Sequence, residues 1–163
     1  MSVIAEMIDP LEFRRACGRF ATGVAIVTAR LGEEKVGMTI NSFSSVSLDP
    51  PLVLWSLRNK ARSRAVFEAA GAFAVSILSA EQAFVARHFA SGVAGIFDGT
   101  EIAYTERGLP LISGALAHLE CETRHIHEGG DHRIMIGEVT GLNIMDGDPL
   151  LFFNGRFAGL PDL

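Results

Sequence analysis

The chain has 163 residues, of which 48% are hydrophobic and 20% charged, and its formal net charge is −5. That length and composition predict one folded domain spanning 1–163 with a sizeable core, and exclude a disordered chain. Only two lysines occur, Lys35 and Lys60; without a cationic stripe to neutralise phosphates, no nucleic-acid partner is expected. No apolar run reaches the roughly 18–20 residues that carry a helix across a bilayer, so no membrane partner is expected either.

The opening residues, Met-Ser-Val-Ile-Ala-Glu, lack a basic stretch followed by an apolar core, so no signal peptide is expected. Cys17 and Cys121 stand far apart without companion cysteines and read as buried free thiols, which places the protein in the cytoplasm.

Asp9-Pro10-Leu11-Glu12 reads as a helix start, with Asp9 as N-cap and Glu12 at the capping-box position. Phe13, Ala16, Cys17 and Phe20 follow at helical spacing and predict a face that packs on something. Thr22 to Ala29 reads as a buried strand, and Lys35 to Asn41 returns as its hairpin partner across a charged turn. Leu52 to Leu57 is a third strand, entered through Asp49-Pro50-Pro51.

Asn59 to Arg62 is a polar loop. Ser63 to Ala70 reads as a short helix closed by Gly71. After a strand over Phe73 to Leu78, Ser79-Ala80-Glu81-Gln82 is a capping box opening a helix whose expected inner face is Phe84, Val85 and His88. Ser91 to Thr100 is Gly-rich and irregular, and Leu109 to Gly114 reads as a turn region. Ala115 to His127 and His132 to Ile144 are two long strands joined at Glu128-Gly129-Gly130, and Leu150 to Phe153 is a last strand.

These elements predict a mainly β (α+β) chain: six to seven antiparallel strands forming a barrel, with short peripheral helices. No Gly-x-Gly-x-x-Gly follows a strand, which argues against a Rossmann domain.

The most informative stretch is Gly37-Met38-Thr39-Ile40-Asn41-Ser42-Phe43-Ser44-Ser45-Val46-Ser47-Leu48-Asp49-Pro50-Pro51. Thr39, Asn41, Ser42, Ser44, Ser45 and Ser47 put small hydroxyls and an amide between apolar flanks, with no charge among them. Uncharged hydrogen-bonding groups at that density imply a polar, aromatic ligand held by short donors and backbone amides, and a flavin fits.

That segment resembles the signature of the short-chain NAD(P)H:flavin reductases, the reductase components of two-component flavin-dependent monooxygenases. Phe20-Ala21-Thr22-Gly23-Val24, Phe73 to Leu78, Arg87-His88-Phe89-Ala90 and Gly130-Asp131-His132 resemble further elements of the same family, in order. The resemblance implies an FMN-binding split β-barrel of Greek-key type, working as a homodimer with the flavin near the subunit interface. It also implies reduction of FMN or FAD by NADH (or NADPH), and release of reduced flavin to a partner monooxygenase.

On that footing Thr39, Asn41 and Ser42 are expected at the ring's pyrimidine edge, with the backbone of Ser45, Val46 and Ser47 approaching the ring. Asn59, Arg62, Ser63 and Arg64 suit the phosphate, although either arginine reads equally as a solvated charge. The resemblance puts Arg87 and Phe89 near the ribityl-phosphate or adenine side, with a surface arginine and a core phenylalanine as the alternative. It puts His132 by the nicotinamide, in a positioning role, with Asp131 shaping the turn. Phe157 stands near the ring pocket where the family often carries tyrosine; a core or dimer-contact aromatic is the other reading.

A competing function is a split-barrel protein that holds FMN tightly for storage or sensing. No metal site is expected. Cys121, His125 and His127 share one face of an extended strand, but Cys121 and His125 stand about 13 Å apart at ~3.3 Å per residue, too far for one tetrahedral site.

Overall fold

The computed structural model describes residues 7–161. The expectation that the first six residues carry no signal peptide therefore lies outside the described residues. In chain order the elements are α1 (Pro10–Cys17), β1 (Thr22–Gly23), β2 (Ala25–Leu31), β3 (Glu34–Ile40), β4 (Ser44–Leu48), β5 (Pro51–Arg58) and α2 (Arg64–Ala69). Then come β6 (Ala72–Ile77), a 3₁₀ turn (Ala80–Gln82) running into α3 (Ala83–Ala90), β7 (Ile102–Tyr104), β8 (Pro110–Ile112), β9 (Ala117–Gly129), β10 (His132–Ile144), β11 (Leu151–Phe153) and β12 (Arg156–Ala158).

Seven strands form one antiparallel sheet in the order β3-β2-β6-β9-β10-β5-β4. Its two edge strands, β3 and β4, are neighbours in the chain, joined by residues 41–43. Four Cα steps reach about 15 Å at most, whereas a flat seven-stranded sheet would hold its edges about 29 Å apart. The sheet is therefore rolled into a barrel left open along the β3–β4 seam, which is the split antiparallel barrel expected from the sequence.

Strand periodicity fills the barrel. On β5, Val53, Trp55 and Leu57 point inward, where they meet Phe67, Phe73, Val75, Cys121 and Met135. Trp55 meets Phe67 and Phe73 edge-on, with centroids 4.9 and 5.8 Å apart; each such pair adds about 0.5–1.5 kcal/mol beyond area burial. Gly137 is required here, since a Cβ would run into the Phe73 ring and lie 2.9 Å from Cys121 Cβ. β2 is buried on both faces from Ala25 to Ala29 because its other face is covered as well: Ile26, with Val24 just before the strand, packs with Val85 and Phe89 of α3.

Several expectations change. The polar segment contains an additional strand, β4, and β7, β8 and β12 complete small sheets outside the barrel. In α1, Asp9 caps the Leu11 amide at 2.7 Å as expected, but Glu12 pairs with Arg15 at 2.7 Å instead of closing a capping box. None of its residues is buried, and Phe13 and Phe20 are exposed; helical spacing defines an apolar face but not what covers it. Cys17, at the end of that open helix, is exposed, while Cys121 is buried.

In α3 the buried residues are Val85, Ala86 and Phe89, and Phe84 is exposed. The Ser79–Gln82 capping box is present but opens a 3₁₀ turn, and the buried face of α3 is the one that packs on Val24 and Ile26. β9 carries a bulge at Arg124, because Thr123 pairs with Gly137 while His125 pairs with the adjacent Ile136. The bulge reverses the alternation. Past it, Ile126 stands opposite buried Met135, so His125 and His127 leave the face that Cys121 occupies.

Candidate functional site

A cleft of about 1370 Å³ runs along the outer edge of β3. β3 and the following Asn41 and Ser42 form its floor. Ser56 and Arg58 of β5, Ala61 to Ser63, and His132 close one end, and the segment from Phe89 to Asp98 forms the facing wall. Because β3 pairs only with β2, alternate backbone N–H and C=O groups on its other edge are left without a strand partner.

Ser42 and Ser56 bring the seam together. The Ser56 amide donates to Ser42 Oγ at 2.9 Å, so the Ser42 hydroxyl accepts from protein while its own hydrogen is left to donate elsewhere. Thr39 differs: its hydroxyl donates to the Ala86 carbonyl at 2.6 Å and ties β3 to α3, leaving only acceptor capacity. Asn41 is exposed beside them. Ser45, Val46 and Ser47 lie across the seam on β4 and are not among the residues lining the cleft.

His132 is the first residue of β10, opposite Arg58 of β5. Its Nδ1 is 2.6 Å from Asp131 Oδ1. The ring donates Nδ1–H there, and its neutral form keeps Nε2 as an acceptor. The hydrogen bond from His132, followed by the charges of His132 and Arg58, holds the Asp131 carboxyl below its ordinary range. Asn59 organises the turn: its amide donates to the Asp131 carbonyl at 2.9 Å and its side-chain amide to the Gly130 carbonyl at 3.1 Å. Gly130, at φ 66°, allows the reversal. Asn59 thus grips the turn from outside the cleft lining.

The phosphate-side residues separate clearly. Arg64 pairs with Glu68 at 2.8 Å, whereas Arg62 is exposed and lines the cleft with Ser63. Ser63 is the N-cap of α2 but makes no capping bond, so its hydroxyl is uncommitted. Phe89 is buried and reaches the floor beneath Gly37, where a Cβ would lie 2.8 Å from its ring. Arg87 and Phe157 do not join the cleft. They pair with each other, the guanidinium 5.3 Å from the ring centroid, and Phe157 packs on Phe152.

Ser56, Arg58 and Lys35 line the cleft without having been singled out from the sequence. Ser56 and Arg58 alternate with the inward Trp55 and Leu57, and polar residues two apart in an otherwise apolar strand were the signal available. Lys35 gave no local signal. His125 and His127 stack at 5.7 Å, and no group of three metal-binding side chains occurs among the described residues. Burial, then the Glu120 charge, pushes the Cys121 thiol up to about 12, so it stays protonated and inert.

Residues 17–161 match the model of the flavin reductase like domain. An FMN reductase (NADH), SmoA, of Agrobacterium fabrum is 45% identical over 147 residues, covering 90% of this chain and 84% of the relative. The flavin-dependent monooxygenase reductase subunit HsaB of Rhodococcus jostii is 39% identical over 163 residues, covering 99% of this chain and 84% of the relative. Among solved structures, the NADH:FAD oxidoreductase SgcE6 of Streptomyces globisporus, in complex with NAD and FAD fragments, superposes with TM-score 0.90 at 44% identity, covering 96% of this chain and 98% of the other.

Proposed function

The chain belongs to the flavin reductase like domain family, and from that premise we propose that it is an NAD(P)H-dependent flavin reductase. It reduces FMN or FAD with NADH (or NADPH) and supplies the reduced flavin to a partner flavin-dependent monooxygenase. The observation that carries this reading is the joining, in one cleft, of an open strand edge with spare donors and a carboxylate-held imidazole.

The residues fit a flavin. The Ser42 hydroxyl hydrogen, the Asn41 amide and the unpaired edge of β3 match the polar rim of an isoalloxazine, with Thr39 offering an acceptor. Ser45, Val46 and Ser47 are assigned to approach the ring from the other side of the seam through the free edge of β4. Arg62 and Ser63 are assigned to the phosphate. When bound, the flavin supplies a ring that accepts hydride. The remaining work is positioning: His132 orients the nicotinamide, Asp131 fixes its tautomer, and Asn59 and Arg58 fix the turn it stands on. Holding donor and acceptor face to face supplies most of the rate. Phe89 supports the floor from beneath, and Arg87 and Phe157 brace α3 against the β11–β12 hairpin.

Residues 1–163 are taken as a single flavin reductase domain acting as a homodimer in the cytoplasm. The open α1 face, with Leu11, Phe13 and Phe20 exposed, supports a second copy as its cover. Among the described residues no helix is long and apolar enough to cross a membrane.

The test is NADH oxidation by the purified protein with and without added FMN or FAD. Oxidation that requires added flavin and saturates in it is the expected result; no flavin-dependent oxidation with either nucleotide overturns the assignment.

A further inference from the structure

The Ala61–Ser63 loop and the Asp131–His132 turn, which carry the two halves of the proposed site, are joined by a carboxylate that does not line the cleft. Glu68 stands one turn past Arg64 on α2, a helix seated in the barrel core through Val66 and Phe67. Its Oε1 accepts from Arg64 Nε at 2.8 Å and lies 3.6 Å from Arg133 Nε. Arg64 Nη1 in turn donates to the Asn59 carbonyl at 3.4 Å, and Asn59 grips the turn through the Asp131 and Gly130 carbonyls. On the other side, Arg133 is the residue after His132 on β10, opposite Leu57. Successive strand residues face opposite sides. Arg133 therefore fastens the strand at the barrel's inner side while His132 faces the cleft.

The side chains of Glu68, Arg64 and Arg133 are only 31, 30 and 24% exposed, so salt screens this cluster less than a pair on the open surface. Arg133 Nε is itself buried and makes no hydrogen bond; at 3.6 Å its contact with Glu68 is ionic. Without the Glu68 charge, two half-buried arginines would face each other with nothing between them to balance them. Arg133 would keep only Glu128, an exposed partner at 3.0 Å. We infer that Glu68 is a positioning residue for hydride transfer. Its carboxylate locks the phosphate-side loop and the His132 turn into one relative position, and so holds the nicotinamide over the flavin without touching either. This rests on the flavin reductase reading above.

The test uses Glu68→Gln, which keeps the shape and removes the charge, and Arg64→Gln, which cuts the same chain one link further on. Each is made in the wild-type protein and in His132→Ala. Stopped-flow reduction is followed at saturating flavin and NADH, and amide hydrogen exchange is read by NMR without ligand. Both variants are expected to slow reduction by about threefold or more when His132 is present, and to add no slowing in His132→Ala, because they act through that ring. Exchange of the Asn59 amide, which donates to the Asp131 carbonyl, is expected to quicken by a similar factor, with the amides of β6 and β9 unchanged. An unchanged rate, equal slowing in both backgrounds, or an unchanged Asn59 amide overturns the inference. Exchange that quickens alike throughout the barrel also overturns it, since Glu68 would then only stabilise the fold. Should the wild-type protein show no flavin-dependent turnover at all, the reductase reading fails separately, and the Asn59 exchange alone decides whether Glu68 fixes the turn.

Discussion

Asp131 Oδ1 lies 2.6 Å from His132 Nδ1, at the head of β10 and directly across from Arg58. This pair aims the one imidazole in the cleft while leaving its Nε2 as an acceptor. His132→Ala is expected to slow NADH-driven flavin reduction by roughly tenfold or more, the scale of a lost orienting contact, with flavin affinity held within a few-fold. Stopped-flow reduction beside an equilibrium flavin titration checks both. A collapse of flavin binding with a normal rate per bound flavin contradicts the nicotinamide-side role.

Asp131→Asn removes the carboxylate that accepts from Nδ1. In the wild-type protein this carboxyl titrates below its ordinary value of 3.8, so its link to His132 is present above that value. It is lost only as pH falls through the depressed one. The wild-type rate should therefore show no loss from this group at neutral or mildly acidic pH, whereas Asp131→Asn is slower at every pH. A pH–rate profile of the two proteins checks this, and identical profiles contradict it.

Ser42→Ala leaves the Ser56 amide without its partner at 2.9 Å and removes the spare hydroxyl donor. The expected cost is about 1 kcal/mol of stability together with weaker flavin binding. Thr39→Val should cost stability through the lost Ala86 bond with much less effect on flavin affinity. Denaturant melts paired with flavin titrations separate the two; equal losses of affinity contradict the division of labour.

Gly137→Ala forces a methyl group against Phe73 and Cys121. Overpacking of this kind costs about 1–3 kcal/mol, measured as a lower urea midpoint. An unchanged midpoint means that the Trp55–Phe67–Phe73 cluster yields more easily than its packing implies.

The two thiols should differ in reactivity. Native protein is expected to leave buried Cys121 unalkylated, and unfolded protein to alkylate at both thiols. Because the folded Cys121 pKa is raised from 9.0 to about 12, the unfolded chain ionises first, and stability falls as pH rises from 9.0 toward about 12. Two fast equivalents in native protein, or a flat alkaline limb in Cys17→Ser, contradict this.

Much of the barrel was legible in the sequence because its signals are local. His132 to Ile144 was read with its observed bounds, since a Gly-Gly turn and alternating apolar residues mark a long strand. The Gly37–Pro51 stretch and His132 stood out by composition and resemblance, and the structure brings Thr39, Asn41, Ser42, Ser63, Phe89 and His132 to one cleft. What was not legible depends on phase or on distant neighbours. A single bulge at Arg124 turns His125 and His127 away from Cys121, and packing on Val24 and Ile26 selects the buried face of α3. Cys17 and Phe13 look like core residues by spacing, yet no element of the same chain covers them. Lys35 acquires meaning only once Phe97 and Tyr104, more than sixty residues away in sequence, are folded against it.

The most direct test of the central claim is anaerobic mixing of the protein with NADH and excess FMN, following nucleotide and flavin absorbance together. The account predicts that one flavin is bleached for each NADH consumed, at a rate proportional to the amount of protein and strongly reduced in His132→Ala. NADH consumed without matching flavin reduction, or a rate independent of the protein, would contradict it.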